Sequence, residues 1–307
     1  MSIAMREAFG ARLAELGLTH PELVVLDADV SSSTKSKLFA SAFPERFFNV
    51  GVAEGNLADV ANGLATCGYH PVVNAFAIFL SLKSTDQIRN VSCYNNLPVV
   101  FAGAYGGLSD SFDGASHQAV EDIAIFRSLP GMQVIVPADA RQAVLALDYA
   151  LNQRGPVYIR LNRNPMPDLL EPKEFGSAEA LLLRKGKDVT VAANGITASY
   201  ALEAAELLSR EGIEVEVLSV PFVKPLHMGM LGESIRKTGR LLTIEEHVME
   251  GGFGSAVCEQ CMFAGLSPAF DAIALSGFGE SGPYDKLLEK YGISADNIAR
   301  HAKALCR

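Results

Sequence analysis

Residues 97–128 read LPVVFAGAYGGLSDSFDGASHQAVEDIAIFRS. The opening run, 97–103, is apolar and β-rich, as a buried strand is. The closing run, 119–128, spaces its apolar residues as a helix does. Between them lies a loop, 103–117, rich in Gly, Asp and Ser and ending in His117 at the helix start. Strand, loop and helix in that order form the repeating unit of an α/β fold. The pattern extends in both directions. Upstream stand helix 2–17, strand 23–28, helix 54–67, strand 71–74 and a helix over about 79–93. Downstream follow strand 132–137, helix 139–151 and strand 156–161. Strands alternating with helices predict a mostly parallel sheet covered on both faces.

The stretch 163–186 holds three prolines and many charges. It places a linker at 165–186, between a first domain over 1–164 and a second over 187–307. The second domain repeats the αβ pattern with strands 188–193, 214–219, 240–245 and 270–275. Its helices are 196–210, 254–264, about 284–290 and 294–305. The expected fold is therefore α/β, two αβα domains with mostly parallel sheets. No internal repeat or low-complexity tract interrupts it.

Composition narrows the class. The chain has 307 residues, 49% of them hydrophobic, and a formal charge of −9. That length and apolar content support two packed cores. No Lys/Arg run stands out, so no nucleic-acid or acidic-membrane partner is expected. The cysteines are Cys67, Cys93, Cys258, Cys261 and Cys306, an odd number in helical, core-like segments. They read as reduced thiols of a cytoplasmic protein. Cys258 and Cys261 form a CxxC without a second pair or a nearby His, so one helical face is the expected reading and no metal is assigned. The longest apolar stretch, Val72 to Leu82, is too short to span a bilayer, and the first residues do not form a signal peptide.

Ligands of open α/β sheets sit outside the carboxyl ends of the strands, so the residues after each strand matter. Asn49-Val-Gly-Val-Ala-Glu54-Gly-Asn56 places an acid at the start of helix 54–67. Glu54 either complements the helix dipole or is a carboxylic acid that shares a proton with a ligand nitrogen. Asn74-Ala-Phe76-Ala-Ile-Phe79 offers two aromatics three apart, which are either core or a flat wall for a heteroaromatic ring. The loop Gly106 to Gln118 carries Asp113 and His117 in a setting that often carries function. Arg160-Leu-Asn-Arg163, with Arg6, offers guanidinium groups suited to a phosphate. The chain has no Walker-type loop, no complete GxGxxG and no Gly-Asp-Gly followed at a distance by Asn, so nothing in it cradles a diphosphate through a metal.

These segments, in this order, resemble the second half of transketolase, its pyrimidine-binding and C-terminal domains. The match rests on Asn49 to Glu54, Asn74 to Phe79 and Asp113-Gly-Ala-Ser-His117-Gln118. It continues through Val120-Glu-Asp-Ile-Ala, Phe126-Arg127, Ala4-Met-Arg6, Gly155-Pro-Val-Tyr-Ile-Arg160 to Arg163, and Gly277-Phe-Gly-Glu-Ser-Gly-Pro283. The resemblance implies a thiamine-diphosphate enzyme that transfers a two-carbon ketol unit between sugar phosphates. It implies that Glu54 is the acid facing N1′ of the aminopyrimidine. Phe79 would stack on that ring with Phe76 beside it, and Asp29 matches an acidic residue near the cofactor. Asp113 and His117 would contact substrate hydroxyls and the reacting centre. Arg6, Ser33 and Arg163 would hold the sugar phosphate.

Two positions depart from the family pattern. Tyr105 stands where many transketolases have a phosphate-contacting His, and Leu82 where an aromatic often completes the pyrimidine pocket. The diphosphate and Mg²⁺ site lies in the half that this sequence lacks. The resemblance therefore implies an N-terminal partner subunit, a cofactor shared with it, and a heterotetramer of two plus two chains. The beta subunit of a 2-oxo-acid dehydrogenase shares the two-domain plan, and Glu245-Glu246-His247 and Gly251 to Val257 are similar there too. A deoxyxylulose-phosphate-synthase-like half and a non-catalytic scaffold of the same fold are further alternatives. The C-terminal domain shows no catalytic set of its own, and helping the dimer is its expected role.

Overall fold

In a computed structural model of the chain, residues 3–169, 175 and 178–307 are described. Most of the expected strands and helices are present, and the strands form two mostly parallel sheets. Strand Leu23–Asp27 is buried at every position, as is Val100–Ala104. Continuous apolar runs of this kind need both sheet faces covered, which the flanking helices provide. Helix Glu54–Thr66 buries Leu57, Ala58, Ala61 and Ala65, a stripe at helical spacing. Helix Ala140–Ala150 begins where the Asp139 carboxylate accepts from Gln142 N at 2.8 Å. Helix Gly229–Thr238 ends at Gly239, whose φ of +66° is the left-handed cap that glycine tolerates.

The first sheet has seven strands. From one edge they run Phe222–Lys224, Gln133–Ile135, Val157–Leu161, Val100–Ala104, His70–Phe76, Leu23–Asp27 and Phe47–Asn49. All are parallel except Phe222–Lys224, which comes from the second half of the chain and pairs antiparallel. From Leu23–Asp27 the chain goes one way to Phe47–Asn49, then returns and builds the other way through His70–Phe76. The strand order therefore reverses at Leu23–Asp27 and His70–Phe76, where a doubly wound sheet opens a crevice at its carboxyl edge. The second sheet runs Ala269–Leu275, Arg240–Val248, Val189–Ala193, Val215–Ser219 and Leu181–Arg184, the last antiparallel.

Several expectations are refined. The helix expected over 79–93 is three pieces: Ala77–Lys83, Thr85–Gln87 and a wide π-type turn, Ile88–Cys93. Phe76 is the last residue of a strand rather than part of that helix. The stretch expected as a linker carries structure at both ends. Pro165–Met166 pairs with Ile3–Ala4, and Leu181–Arg184 joins the second sheet. Residues 170–174, 176 and 177 of that stretch, and Ser2 of the expected helix 2–17, lie outside the described residues.

The two halves interlock. Besides the shared strand, Val248 N donates to Val120 O at 3.0 Å, and Gly282 N donates to Ser111 O at 3.0 Å. Among the described residues, no helix is long and apolar enough to cross a membrane. All five cysteines are free, and Cys258 and Cys261 sit three apart on helix Phe253–Phe263 with Cys261 in the core.

Candidate active site

The crevice gathers side chains from strand ends distant in sequence. Asp27 closes the first of them. Its buried carboxylate accepts from Val30 N at 2.6 Å, Ser36 Oγ at 2.8 Å and Thr34 Oγ1 at 3.0 Å. Burial pushes this carboxyl up in pKa, against the pull of those three donors. The result is a fixed turn into the short helix Ser31–Thr34, which carries Ser33. Asp29 follows at a φ of +65° and is exposed. Asn49 holds it there, taking Asp29 N at 3.1 Å and giving Nδ2 to Asp29 Oδ1 at 3.0 Å.

Tyr105 is the centre of the side that holds two arginines. It is 3% exposed and adopts a φ of +64°, a conformation that costs a non-glycine residue about 1–3 kcal/mol. Its contacts offset that cost. Its ring stacks on Phe76 at a centroid distance of 4.6 Å, and its hydroxyl accepts from Arg6 Nη1 at 2.5 Å. The Arg163 guanidinium lies 4.8 Å from the ring centroid and that of Arg6 5.5 Å. Arg6 also donates to the Ser33 carbonyl oxygen at 3.1 Å, so Ser33 meets it through its backbone. Arg6 Nε is buried and has no hydrogen-bond partner among the described residues. Arg163 Nη1 donates to Asp110 Oδ1 at 2.6 Å. Burial first, and Asp113 second, push the Asp110 carboxyl up.

Arg160 does not join this group. It is 5% exposed, with Nε on Asp122 Oδ2 at 2.9 Å and Nη2 on the carbonyl oxygens of Ala119 at 2.7 Å and Glu246 at 3.1 Å. Side chains alternate across a strand and its exit, so of the two arginines only Arg163 reaches the crevice.

On the aromatic side, Phe76 and Phe79 lie 6.0 Å apart and tilted by 31°. His117 presents its ring edge-on to Phe79 at 5.3 Å and to Phe76 at 6.4 Å, and its Nδ1 sits 2.9 Å from Ser116 Oγ. Glu54 opens its helix at 5% exposure. Lys83 Nζ stands 3.3 Å from Glu54 Oε2 and 4.1 Å from the Phe79 ring centroid, so acid and ring face one small space. Ser84 Oγ donates to the Glu54 carbonyl at 3.0 Å and fixes the helix start. Asp113 is exposed on the loop, and Leu82 is 61% exposed beside the crevice.

Of the residues singled out from sequence, Arg6, Arg163, Phe76, Phe79 and His117 converge around Tyr105. Glu54 joins them through Lys83. Ser33 meets Arg6 through its carbonyl, whereas Asp29 is exposed on Asn49 and Asp113 is exposed on its loop. Lys83 and Asp110 were not singled out, and the helix and loop that carry them gave the only signal.

The second domain contributes a sealed polar cluster. Glu245 accepts from Phe253 N at 2.6 Å and Gly254 N at 2.8 Å, capping helix Phe253–Phe263. Glu246 accepts from Leu108 N at 2.8 Å, Tyr284 OH at 2.9 Å and Asn162 Nδ2 at 3.3 Å. Burial pushes Glu245 up to about 8 and Glu246 up to about 7, and pushes His247 down to about 4. His247 is fully enclosed, with Nδ1 on the Val248 carbonyl at 2.6 Å, and has no access to a ligand.

Comparison with known proteins accords with this architecture. Residues 1–167 match the model of the transketolase pyrimidine-binding domain, and residues 178–298 that of the transketolase C-terminal domain. The chain is 38% identical to a putative transketolase C-terminal section of Methanocaldococcus jannaschii, over 96% of this chain and 94% of that one. It is 38% identical to a 6-deoxy-6-sulfo-D-fructose transketolase subunit of a Clostridium species, over 97% and 93%. A 1-deoxy-D-xylulose-5-phosphate synthase of Desulforudis audaxviator is 36% identical over 98% of this chain, which spans only 48% of that enzyme. Among solved structures, a split gene transketolase described as an inactive β4 tetramer superposes with a TM-score of 0.91 at 43% identity, covering 100% of this chain and 99% of that one. Fold, sequence and domain order together establish that the chain belongs to the thiamine-diphosphate-dependent transketolase family, as its pyrimidine-binding and C-terminal portion.

Proposed function

We propose that this chain is the C-terminal subunit of a two-chain, cytoplasmic transketolase, moving a two-carbon ketol unit from a ketose phosphate to an aldose phosphate. The observation that carries the reading is the convergence at one crevice of a buried acid, an aromatic wall and two guanidinium groups. An N-terminal partner chain supplies the diphosphate and Mg²⁺ site, in an assembly of two plus two. The exposed apolar residues around the crevice, Val52, Leu82 and Phe112, suit a face covered by another chain.

The residues present fit the aminopyrimidine of thiamine diphosphate. Glu54 would face its N1′, and Phe79, with Phe76 beside it, would stack on the ring in place of the Lys83 Nζ that lies 3.3 Å from Glu54 and 4.1 Å from the Phe79 ring centroid. Asp29 lies at the neighbouring strand end. Thiamine diphosphate, when bound, supplies the carbanion chemistry of ketol transfer. Glu54, itself 5% exposed, would hold a proton at N1′. His117, held between Phe79 and Ser116, is placed to exchange a proton with a sugar hydroxyl, and Asp113 orients the substrate from the loop. The part-buried Arg6 and Arg163 guanidinium groups bind the terminal anion beside the Tyr105 hydroxyl and Ser33.

Tyr105 and the sulfo-fructose relative favour a second reading of the donor, a ketose with a terminal sulfonate in place of phosphate. Both anions are tetrahedral and suit paired guanidinium groups. Co-expression with the N-terminal chain, followed by assay of ketol transfer with thiamine diphosphate and Mg²⁺, tests the function. Activity only in the mixture is expected, and a phosphate-versus-sulfonate donor panel separates the two donors. Decarboxylation of a 2-oxo acid by the mixture would instead favour the dehydrogenase or deoxyxylulose-phosphate-synthase alternatives.

A further inference from the structure

We infer that Glu246, in the second domain, is a positioning residue for the substrate loop of the first; this rests on the function proposed above. Loop 106–118 carries Asp113 and His117 and leaves directly from Tyr105; its own domain holds its start, with Gly106 N on the Leu161 carbonyl at 3.0 Å, Gly107 N on the Ala119 carbonyl at 2.8 Å and Asp110 on Arg163. Its backbone is pinned from the other side. Leu108 N donates to Glu246 Oε1 at 2.8 Å, and the same carboxylate is oriented by Tyr284 and Asn162. The fit is close: a Cβ on Gly107 would lie 2.4 Å from the Glu246 carboxyl carbon, so a glycine is required where the loop passes it. The far end of the loop is held by the same domain. Gln118 Nε2 donates to the Glu280 carbonyl at 3.0 Å, and Gly282 N to the Ser111 carbonyl at 3.0 Å. Asn162 lies next to Arg163, so one carboxylate sets both the loop and the strand exit that carries a phosphate-side arginine. The second domain thus completes the geometry of the crevice without lending it a side chain.

The test is Glu246→Gln, which keeps volume but leaves one acceptor oxygen for three donors. Amide hydrogen exchange on the isolated chain reads the loop directly. Exchange over 106–118 is expected to accelerate about ten-fold, the loss of one hydrogen bond to a charged acceptor, while the strands of both sheets keep their protection. In the assembled complex, kcat is expected to fall and KM for the ketose to rise. The dissociation constant for thiamine diphosphate and the size of the complex stay the same. Tyr284→Phe, which removes a single donor, gives the same pattern at smaller amplitude and serves if the first variant does not fold. Unchanged loop exchange, or faster exchange with kcat and KM both unaltered, overturns the inference, as does loss of protection spread evenly over both domains. A wild-type complex without ketol transfer refutes the proposed function instead, and the exchange experiment then decides the loop restraint alone.

Discussion

Glu54 and Glu246 are buried to nearly the same degree, 5% and 4% exposed, and are held in opposite ways. Among the described residues, the Glu54 carboxylate takes one hydrogen bond, from a lysine whose side chain is half exposed. Glu246 takes three, from a backbone amide, a phenol and a carboxamide. Burial alone therefore does not mark a functional acid. A carboxylate with open acceptor capacity, held only by a part-exposed lysine beside an aromatic face, can take a ligand, whereas one with its lone pairs committed holds the protein together. The same contrast divides Arg163, at the crevice, from Arg160, enclosed three residues earlier.

The sharpest test of that contrast is Glu54→Gln. Turnover of the assembled complex is expected to drop by about 10²–10⁴-fold, the usual contribution of a positioned acid, with assembly intact by size-exclusion chromatography. Surviving activity would remove Glu54 from the mechanism. Arg160→Met should act on stability, costing about 3–5 kcal/mol in denaturant unfolding, because Asp122 is left as a buried charge beside Tyr158. Arg163→Met should raise KM for the anionic donor by about ten-fold or more and cost less stability than Arg160→Met, although it too takes the partner from a buried acid, Asp110. If the two arginine variants exchanged these phenotypes, the division between crevice and interior would be misplaced.

The smallest expected effect is on pH dependence. Glu245 is pushed up to about 8 and Glu246 to about 7 from an ordinary value of 4.5, with Arg160 and Asp122 the charged groups nearby. The folded chain then binds more protons than the unfolded one up to about pH 8, so these groups make stability fall as pH rises. His247, pushed down to about 4 from 6.5, opposes them only below about pH 6.5. Between pH 6.5 and 8 the carboxylates act alone, and Tm is expected to decline, at up to about 1.4 kcal/mol per pH unit for each group. Glu245→Gln should flatten that slope, whatever its effect on the absolute Tm through the lost helix cap.

Much of the fold was legible because it is periodic. Strand Val100–Ala104 is a continuous apolar run and Leu23–Asp27 is one up to its last residue, and the helices between them show their stripe directly. The elements missed are those with weak local patterns. Phe47–Asn49 is a three-residue edge strand facing solvent, and Leu181–Arg184 is a half-buried edge. Helix Gly229–Thr238 carries two glycines and a charged face. Phe222–Lys224 could not be assigned to the first sheet, because its partner is nearly ninety residues away in sequence.

The site divides in the same way. Residue type and position after strands singled out Glu54, Phe76, Phe79, His117, Arg6 and Arg163 with cap, core and surface readings still open, and the resemblance to transketolase supplied their expected roles. Its alternating domains and the missing diphosphate cradle were likewise readable from the letters, since both are local properties of the chain. Only the tertiary structure decided that Arg160 is sealed while Arg163 stays part-exposed on Asp110, that Lys83 stands between Glu54 and Phe79, that Tyr105 joins both arginines, and that Glu246 accepts from a loop amide 138 residues away. Those outcomes depend on which side chains share a desolvated space, and that follows from how the two sheets pack rather than from any one segment.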